Sequence, residues 1–356
     1  MNYWLQFYHK YPHCNAQDFI KLAYQAEFGC EHIMGDFVLG YIESELAVSN
    51  NADTTLYESI SDEYCRVHLS EYKRQGYPPE VLAKCMQSVH SNGSVDGLLK
   101  RLDAFLQEIA CGQINIDLND AKELVSQYRQ IGCPALHHSK IFRDRYEPHY
   151  RVIYRKHAVL LPVICAIEGK IAKPVSVKPL ILAIDGNCGS GKRYYAKSLA
   201  EYFGACVIHC DDFFLPKEMR TAERLAEVGG NIHYERLRAL LASLQQEQQS
   251  AACRQDKKQS FTYRAYNCST DSYEERKLFT SNVIIVEGSY SLHPFLREFY
   301  DLKVLLTVDE QTQQNRLLQR EGGNIADFVN KWIPLENRYF DTLDARNCIV
   351  IDTSEY

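Results

Sequence analysis

The pattern of hydrophobic positions changes about halfway along the chain. In the first part, apolar residues recur at helical spacing in five segments, which predicts five helices. These segments are residues 18–28, 35–46, 80–89, 95–109 and 120–131. Residues 57–69 alternate between apolar and polar side chains instead, which predicts a strand or hairpin. Residues 1–155 are therefore expected to form a mostly helical α+β domain of their own.

The second part of the chain alternates short apolar runs with helical segments. The runs that predict strands are residues 180–184, 205–209, 283–286, 302–308 and 348–351. Strands that alternate with helices are typical of an α/β fold in which a parallel sheet is covered by helices on both faces. Residues 177–356 are expected to form this domain. Residues 156–176, with proline and lysine at their end, are interpreted as the boundary segment.

A glycine-rich loop follows the first of these strands and precedes a helical segment. It fills the phosphate-loop pattern G-x-x-x-x-G-K with Gly186, Asn187, Cys188, Gly189, Ser190, Gly191 and Lys192. Glycines allow backbone N–H groups to turn toward a phosphate, and the lysine adds a cation for the β- and γ-phosphates. The loop predicts a nucleoside triphosphate site. Arg193 stands where this pattern has a serine or threonine that binds Mg²⁺.

Charged residues follow the later strands, at the edge of the sheet where ligands of α/β proteins bind. Asp211 and Asp212 follow the second strand, and Glu287 ends the third. A carboxylate in this place can accept a hydroxyl proton or hold Mg²⁺, so we predict that Asp211 and Glu287 hold the metal. Arg316 and Arg320 follow the fourth strand, and arginines on a lid can neutralise the charge of a triphosphate.

The half from about residue 177 to 356 resembles the uridine kinase and phosphoribulokinase-like family of P-loop kinases. The residues that carry the resemblance are the phosphate loop, DDFFLP at 211–216, GGNIHYERL at 229–237, VEGSYSLHP at 286–294, and the lid arginines. The resemblance implies transfer of the γ-phosphoryl group of ATP or GTP, with Mg²⁺, to a hydroxyl group of a small metabolite. It implies Lys192, Asp211, Glu287 and Arg320 as catalytic residues, with Asp211 as the general base. The substrate residues expected with it are Asp212, His233, Tyr234, Arg236, Tyr263 and Tyr266.

The sequence departs from the family pattern in two places. The family's nucleoside kinases carry an aspartate near the position of His233 and a histidine that residues 269–275 lack. The expected acceptor is therefore not a standard nucleoside. Arg193 cannot coordinate a cation, because a guanidinium has no acceptor atom. This leaves a second hypothesis, a regulatory module that binds a nucleotide with weak or no kinase activity.

Two clusters of polar residues stand in the first domain. Glu27, Glu31 and His32 could bind a metal or move protons, although a solvated helix end explains them as well. The second cluster contains His138, Arg143, Tyr146, His149 and Arg151. Arginines interleaved with tyrosines and histidines suit a phosphate or a carboxylate, or else a face between domains. If the cluster is a second site, the protein is bifunctional.

Composition and charge narrow the class of partner. The net charge is −6 and the signs are interspersed, which argues against a protein that holds nucleic acid by bulk electrostatics. No apolar run approaches membrane-spanning length and the first residues lack the order of a signal peptide, so we expect a cytoplasmic protein. The 13 cysteines are scattered without a C-x-x-C pair, which favours reduced thiols. Assembly into a homo-oligomer stays open.

Overall fold

The structure of the chain is a computed structural model. It describes residues 2–30, 35, 37–49, 55–173, 178–251, 260–279, 281–323 and 325–355. Glu31 and His32 of the first predicted cluster lie outside these residues. The chain forms two compact units, Met1–Leu161 and Pro162–Tyr356.

The first unit is rich in helices, as predicted. Its helices are α1 Tyr3–Lys10, α2 Ala16–Phe28, α3 Val38–Val48, α4 Leu69–Arg74, α5 Pro79–Gln87, α6 Val95–Ala110, α7 Leu118–Gln130, α8 Lys140–Tyr146 and the start of α9 Arg155–Ile171. Its strands are β1 Tyr57–Ser59, β2 Tyr64–His68 and β3 Tyr150–Tyr154, which pair antiparallel in the order β1-β2-β3. The five predicted helices and the predicted hairpin are all present.

Helix α2 shows how the sequence sets these elements. Asn15 and Asp18 form a capping box at its start, and Gly29 ends it with a φ of 62°. Its apolar face packs against α6 and α7 in a cluster that includes Ile20 and Leu102. The same Asp18 that caps the helix is fully buried, which makes it available to a polar network described below.

Two parts of the first unit were not predicted. Residues 150–154 form β3, which pairs with β2 so that Val152 lies opposite Arg66. Helix α9 occupies most of the segment interpreted as a boundary, and the division between the two units falls inside it, after Leu161. Residues 174–176 of that segment lie outside the described part of the chain. The predicted limits of the two domains, 155 and 177, stay a prediction.

The second unit contains the predicted α/β fold. Its strands are β4 Leu180–Gly186, β5 Cys206–His209, β6 Ser260–Asn267, β7 Ser272–Phe279, β8 Val283–Glu287, β9 Leu302–Thr307 and β10 Ile349–Asp352. Its helices are α10 Lys192–Phe203, α11 Ala222–Ala226, α12 Tyr234–Ala251, α13 Glu310–Arg320 and α14 Ile333–Phe340. Short 3₁₀ turns span Cys210–Phe213, Lys217–Met219, Arg297–Phe299 and Ala345–Asn347, and Phe328–Trp332 is a π-helical turn.

Five strands form one parallel sheet in the order β10-β9-β4-β8-β5, with β4 at its centre. Ile181 and Ala183 of β4 belong to a buried cluster with Leu237 and Leu241 of α12. Alternate residues of a strand point to opposite faces, and α10 packs on β4, β5 and β8 without joining that cluster. Helices therefore cover both faces, which confirms the predicted fold class.

The β6-β7 hairpin is antiparallel and was not predicted. Residues 243–260 form a polar run whose composition is typical of a solvated helix end and a loop, and helix α12 continues into it as far as Ala251. Residues 252–259 of that run lie outside the described residues. In the described part of the chain, every helix is too short or too polar to cross a bilayer.

Candidate functional site

The glycine-rich loop lies between the central strand β4 and α10. Gly189 and Gly191 have φ values of 81° and 85°, which L side chains rarely adopt. At Gly186, a Cβ atom would come within 2.2 Å of the carbonyl oxygen of Leu306, so only glycine fits. Gly191 is the N-cap of α10, and the first N–H groups of a helix have no acceptor within it. The loop therefore presents backbone donors at the positive end of a helix.

Asp185 supports the loop from beneath. Its buried carboxylate accepts hydrogen bonds from the backbone N–H groups of Gly186 at 2.8 Å and Leu292 at 2.8 Å, and from the hydroxyl of Tyr339 at 2.6 Å. The N–H of Tyr290 is 3.2 Å from the same carboxylate. Burial raises the pKa of Asp185 even though these donors oppose the shift. One side chain thus ties the start of the loop to the segment that follows β8.

Replacing Asp185 with alanine is expected to destabilise the protein by about 3 kcal/mol, because it leaves several buried donors without an acceptor. The free energy of unfolding from urea denaturation measures the effect. Asp344→Ala is the matched control, since Asp344 is solvent-exposed and bonds to its neighbours near the surface. Equal stability of the two variants would contradict the supporting role of Asp185.

Lys192 is the last residue of the loop and the first of α10, and its side chain folds back onto the loop. Its Nζ donates to the carbonyl oxygens of Gly186 at 2.7 Å and Asn187 at 3.0 Å. The ammonium group of Lys192 therefore links the last residue of the loop to the first two. A phosphate that enters the loop would meet this cation directly.

Side chains from the end of the chain hold the outer side of the loop. Glu336 accepts from the N–H of Cys188 at 2.8 Å and from the hydroxyl of Ser289 at 2.7 Å. Gln313 donates to the carbonyl oxygen of Cys188 at 2.8 Å. The N–H of Cys188 therefore already has an acceptor within the protein, the carboxylate of Glu336.

Two further residues reach the loop from the same side. Arg316 donates to the carbonyl oxygen of Gly189 at 2.9 Å, and the hydroxyl of Thr353 lies 3.1 Å from the carbonyl oxygen of Ser190. Sequence reasoning missed Gln313, Glu336 and Thr353. In α13 the lid motif pointed only to the arginines, and no motif linked α14 or the residue after the last strand to the loop. The burial of these polar residues appears only when the fold brings them to the loop.

Two predicted carboxylates stand beside the loop. Residues His209 and Glu287 are opposite one another in the β5-β8 pair, and His209 Nδ1 lies 2.5 Å from Glu287 Oε1. The side chain of Arg193 is 71% exposed, and its Nε lies 3.8 Å from the same oxygen. Glu287 is therefore already contacted by two side chains that can carry positive charge.

Asp211 is the second residue of the turn after β5 and reaches solvent within a concave surface. The surrounding protein limits its hydration and, together with the Glu287 carboxylate, raises the pKa of Asp211. The nearby cations Arg193 and Lys192 oppose that shift. A carboxylate with a raised pKa is a stronger base than one in water, which suits proton transfer.

A cleft of about 800 Å³ joins these groups. The predicted residues that line it are Cys188, Gly189, Gly191, Lys192, Arg193, Asp211, Glu287, Arg316 and Arg320. Gly186, Asn187 and Ser190 lie in the loop but outside this lining, and Ser190 is fully buried. The lining residues that sequence reasoning missed include Tyr194, Phe214, Arg220, Asn231, Ser289, Tyr290, Lys331, Trp332 and Glu336. Of these, Phe214, Asn231, Ser289 and Tyr290 lie in motifs that were recognised.

The predicted substrate residues lie outside the lining of this cleft. Asp212 is buried and accepts from the hydroxyl of Tyr263 at 2.6 Å, with Arg276 Nη2 at 3.4 Å. Tyr266 bonds to Asp271. The structure therefore brings Asp212 and Tyr263 together as one pair.

Three other predicted substrate residues lie at the start of α12. His233 Nδ1 is 3.0 Å from Glu235, and Tyr234 stacks on His293 with ring centroids 4.3 Å apart. The guanidinium of Arg236 lies 4.8 Å from the ring of Tyr273. A role for these residues in substrate binding stays a prediction.

The donor set of the cleft suits Mg²⁺ only in part. Carboxylate oxygens are the ligands that Mg²⁺ prefers, and Asp211 and Glu287 supply them. No group of three or more His, Cys, Asp or Glu side chains with the spacing of a metal site occurs among the described residues. A metal ion would thus need further ligands from nucleotide phosphates, as is usual for Mg²⁺ in kinases.

Comparisons with known proteins concern about half of the chain. No protein-family model and no curated protein matches the sequence. Among solved structures, the chain is similar to one described as a "Possible Uridine Kinase" from Bacillus stearothermophilus, with 21% identity, a TM-score of 0.39, and coverage of 52% of this chain and 96% of that one. It is also similar to a gluconokinase from Sinorhizobium meliloti, with 19% identity, a TM-score of 0.30, and coverage of 49% and 83%. The resemblance read from the motifs in the second half is to the same class of kinases.

Proposed function

We propose that the second unit transfers the γ-phosphoryl group of ATP or GTP to a hydroxyl group of a small metabolite. The observation that carries this proposal is that Lys192, Asp211 and Glu287 line one cleft beside the glycine-rich loop. These residues come from three separate stretches of the chain. Phosphoryl transfer depends mainly on positioning and on electrostatic stabilisation, and this cleft offers both.

Each group has a defined part in the proposed reaction. The loop N–H groups and Lys192 hold the phosphates and stabilise the charge that develops on the transferred group. Asp211 takes the proton of the acceptor hydroxyl. The hydroxyl oxygen of the acceptor forms a bond to the γ-phosphorus while the bond between that phosphorus and the β-phosphate oxygen breaks. Arg320 lines the cleft and can neutralise charge there. Mg²⁺, held by Asp211, Glu287 and the nucleotide, would supply further charge neutralisation.

The acceptor would occupy the part of the cleft lined by Phe214, Arg220, Asn231 and Ile232. This wall combines an aromatic ring, a cation and an amide, which suits a small polar molecule. His233, near the place where nucleoside kinases carry an aspartate, is engaged with Glu235. We therefore propose an acceptor other than a standard nucleoside.

Incubation of the protein with γ-labelled ATP and a metabolite extract tests the function. A labelled product, identified by mass spectrometry, is expected with the wild-type protein and not with the Lys192→Ala variant. GTP as donor in a parallel reaction compares the two nucleotides. Absence of a labelled product with either donor would contradict the proposed activity.

A second function, a regulatory module that binds a nucleotide without transfer, is favoured by one observation. Glu287, the carboxylate expected to meet Mg²⁺, is already contacted by His209 and Arg193. Calorimetry with ATP, with and without Mg²⁺, separates the two functions. Binding that does not depend on Mg²⁺, with no ADP formed across a metabolite panel, would support the module.

Replacing Arg193 with threonine is expected to raise Mg²⁺-dependent turnover about tenfold, because it removes a cation beside Glu287 and adds a hydroxyl ligand. Turnover is measured as ADP formation at several Mg²⁺ concentrations. Arg193→Met is the matched control, since it removes the charge without supplying a hydroxyl. Equal turnover of the threonine variant and the wild-type protein would show that Arg193 does not limit metal use.

A further inference from the structure

The first unit contains a cavity of its own, of about 590 Å³. Its lining includes Lys21 and Gln25 from α2, Tyr150 and Arg151 from β3, and His138 from the loop before α8. Four of the five residues in the second predicted cluster line the cavity: His138, Arg143, His149 and Arg151. The exception is Tyr146, whose hydroxyl accepts from the N–H of His13 at 3.0 Å.

One wall of the cavity is a rigid polar network. His138 Nδ1 lies 2.8 Å from buried Asp18, and His138 Nε2 lies 2.6 Å from the hydroxyl of Tyr150. Burial lowers the pKa of His138 to about 3, so the ring is neutral: it donates to Asp18 and accepts from Tyr150. Gln25 accepts two hydrogen bonds from fully buried Arg66, at 3.0 and 2.7 Å. These contacts fix the positions of side chains that line the cavity.

The charges on the lining do not balance. Lys21, Arg143 and Arg151 are cations, whereas Glu45 is the one acidic residue in the described lining. Glu45 Oε2 lies 3.0 Å from Arg151 Nη2 and 3.5 Å from His149 Nδ1. The lining therefore has two more positive than negative charges before any contribution from its histidines.

The surroundings of Lys21 show the same excess of positive charge. Its Nζ donates to the carbonyl oxygen of Leu136 at 2.8 Å. Burial, and after it the positive charges of Arg66 and Arg151, lower the pKa of Lys21 to about 8, although the charge of Asp18 opposes the shift. An anion in the cavity would relieve this repulsion.

Arg151 has donor capacity that the protein does not use. Its side chain is 10% exposed, and it lies with its guanidinium 4.6 Å from the ring of Tyr41. Nη1 donates to the carbonyl oxygen of Tyr150 at 2.5 Å and Nη2 forms the ion pair with Glu45, but Nε is buried without a hydrogen-bond partner. His149 Nδ1 is also buried without a hydrogen bond, 3.5 Å from Glu45 Oε2. Buried donors of this kind are costly unless a ligand satisfies them.

We infer that this cavity binds the phosphate group of a small phosphorylated molecule, with Arg151 and Lys21 as its principal contacts. The excess of two positive charges matches a phosphate dianion better than a single carboxylate. A guanidinium can also offer two parallel N–H groups to phosphate oxygens. Phe37, Tyr41 and Met86 form the apolar part of the lining and would contact the rest of the molecule. This site is separate from the proposed kinase site and does not depend on it.

Titration of the full-length protein with inorganic phosphate tests the inference. The Lys192→Ala variant serves as the reference protein, because it removes the lysine of the glycine-rich loop as a competing phosphate contact. Addition of Arg151→Gln is expected to weaken phosphate binding about tenfold or more, as loss of a charge-assisted hydrogen bond does. Addition of Arg129→Gln, at an arginine of the same unit that pairs with Asp103 at the surface, is expected to leave binding unchanged. Equal binding in all three proteins, or tighter binding of acetate than of phosphate, would overturn the inference.

The pH dependence of sulfate binding gives a test that needs no arginine substitution. Sulfate stays a dianion above neutral pH, so a change in affinity reports on the protein. The groups around Lys21 are Asp18 on its own helix, Arg66 on β2, Tyr150 and Arg151 on β3, and His137 and His138 in the loop before α8. In the Lys192→Ala protein, affinity is expected to fall about tenfold as the pH rises from about 7 to 9 and Lys21 loses its proton. Lys21→Met should abolish this decrease, and a decrease that persists in Lys21→Met would overturn the role of Lys21.

Discussion

Replacing Lys192 with alanine is expected to lower phosphoryl transfer on the order of 10³-fold. The Lys192 ammonium lies 2.7 and 3.0 Å from two carbonyl oxygens of the loop, in the place where the phosphates would lie. Alanine removes the cation that would stabilise the transferred phosphoryl group. Among the described residues of the cleft, no other lysine belongs to the loop, so none can replace this cation. Turnover with γ-labelled ATP and the identified acceptor measures the loss.

The control for this variant is Lys197→Ala on the same helix. Lys197 is exposed and pairs with Glu201, so its loss removes a charge from α10 without changing the loop. Both variants should keep the thermal stability of the wild-type protein to within a few degrees. Comparable turnover of Lys192→Ala and the wild-type protein would contradict the assignment of Lys192.

Replacing Asp211 with asparagine is expected to lower turnover by a similar factor, on the order of 10³-fold, because the amide cannot accept the hydroxyl proton. ATP binding should persist, since asparagine keeps the size of the side chain and the loop is unchanged. Calorimetry with ATP and turnover measured on the same preparation separate these two effects. If ATP binding and turnover decreased together, the result would indicate that Asp211 contributes to nucleotide binding rather than accepting the hydroxyl proton.

The pH profile of the wild-type protein gives a second measure of Asp211. The base must be ionised, and the limited hydration of Asp211 together with the Glu287 carboxylate raises its pKa above the ordinary value of an aspartate. Activity should therefore fall as the pH decreases through this raised pKa, at a higher pH than for an aspartate in water. Asp344→Asn, at an exposed aspartate, should keep the wild-type profile. An acid limb that is unchanged when Glu287 is replaced by glutamine would contradict the coupling between the two carboxylates.

The sequence predicts most of the second unit because its signals are local. The apolar run of β4 and the glycines that follow it specify a strand, a loop and a helix within about 20 residues, and the structure has all three. The carboxylates Asp211 and Glu287 were placed at strand ends by the same reasoning. Their shared cleft follows from the parallel order of β4, β8 and β5.

Features that depend on contacts between distant residues could not be predicted in this way. Gln313, Glu336 and Thr353 reach the loop across more than 100 residues of sequence, and each looks like an ordinary polar residue in its own segment. Strand β3 was missed because residues 150–154 are rich in tyrosine and arginine, and its partner β2 lies more than 80 residues earlier. The β6-β7 hairpin was missed because its exposed positions carry charged side chains that hide the alternation.

Helix α9 decides how the protein can be divided for study. A fragment that stops at residue 155 removes the buried side chains of Ala158, Leu160 and Leu161 from the first unit. Such a fragment would expose apolar side chains of the first unit to water. If it aggregated, the result would not test ligand binding in the cavity around Arg151. A fragment that starts at residue 177 removes Val163, Ile164 and Ile167 from the second unit in the same manner. Recombinant fragments of either unit should therefore each carry the whole of α9, through Ile171.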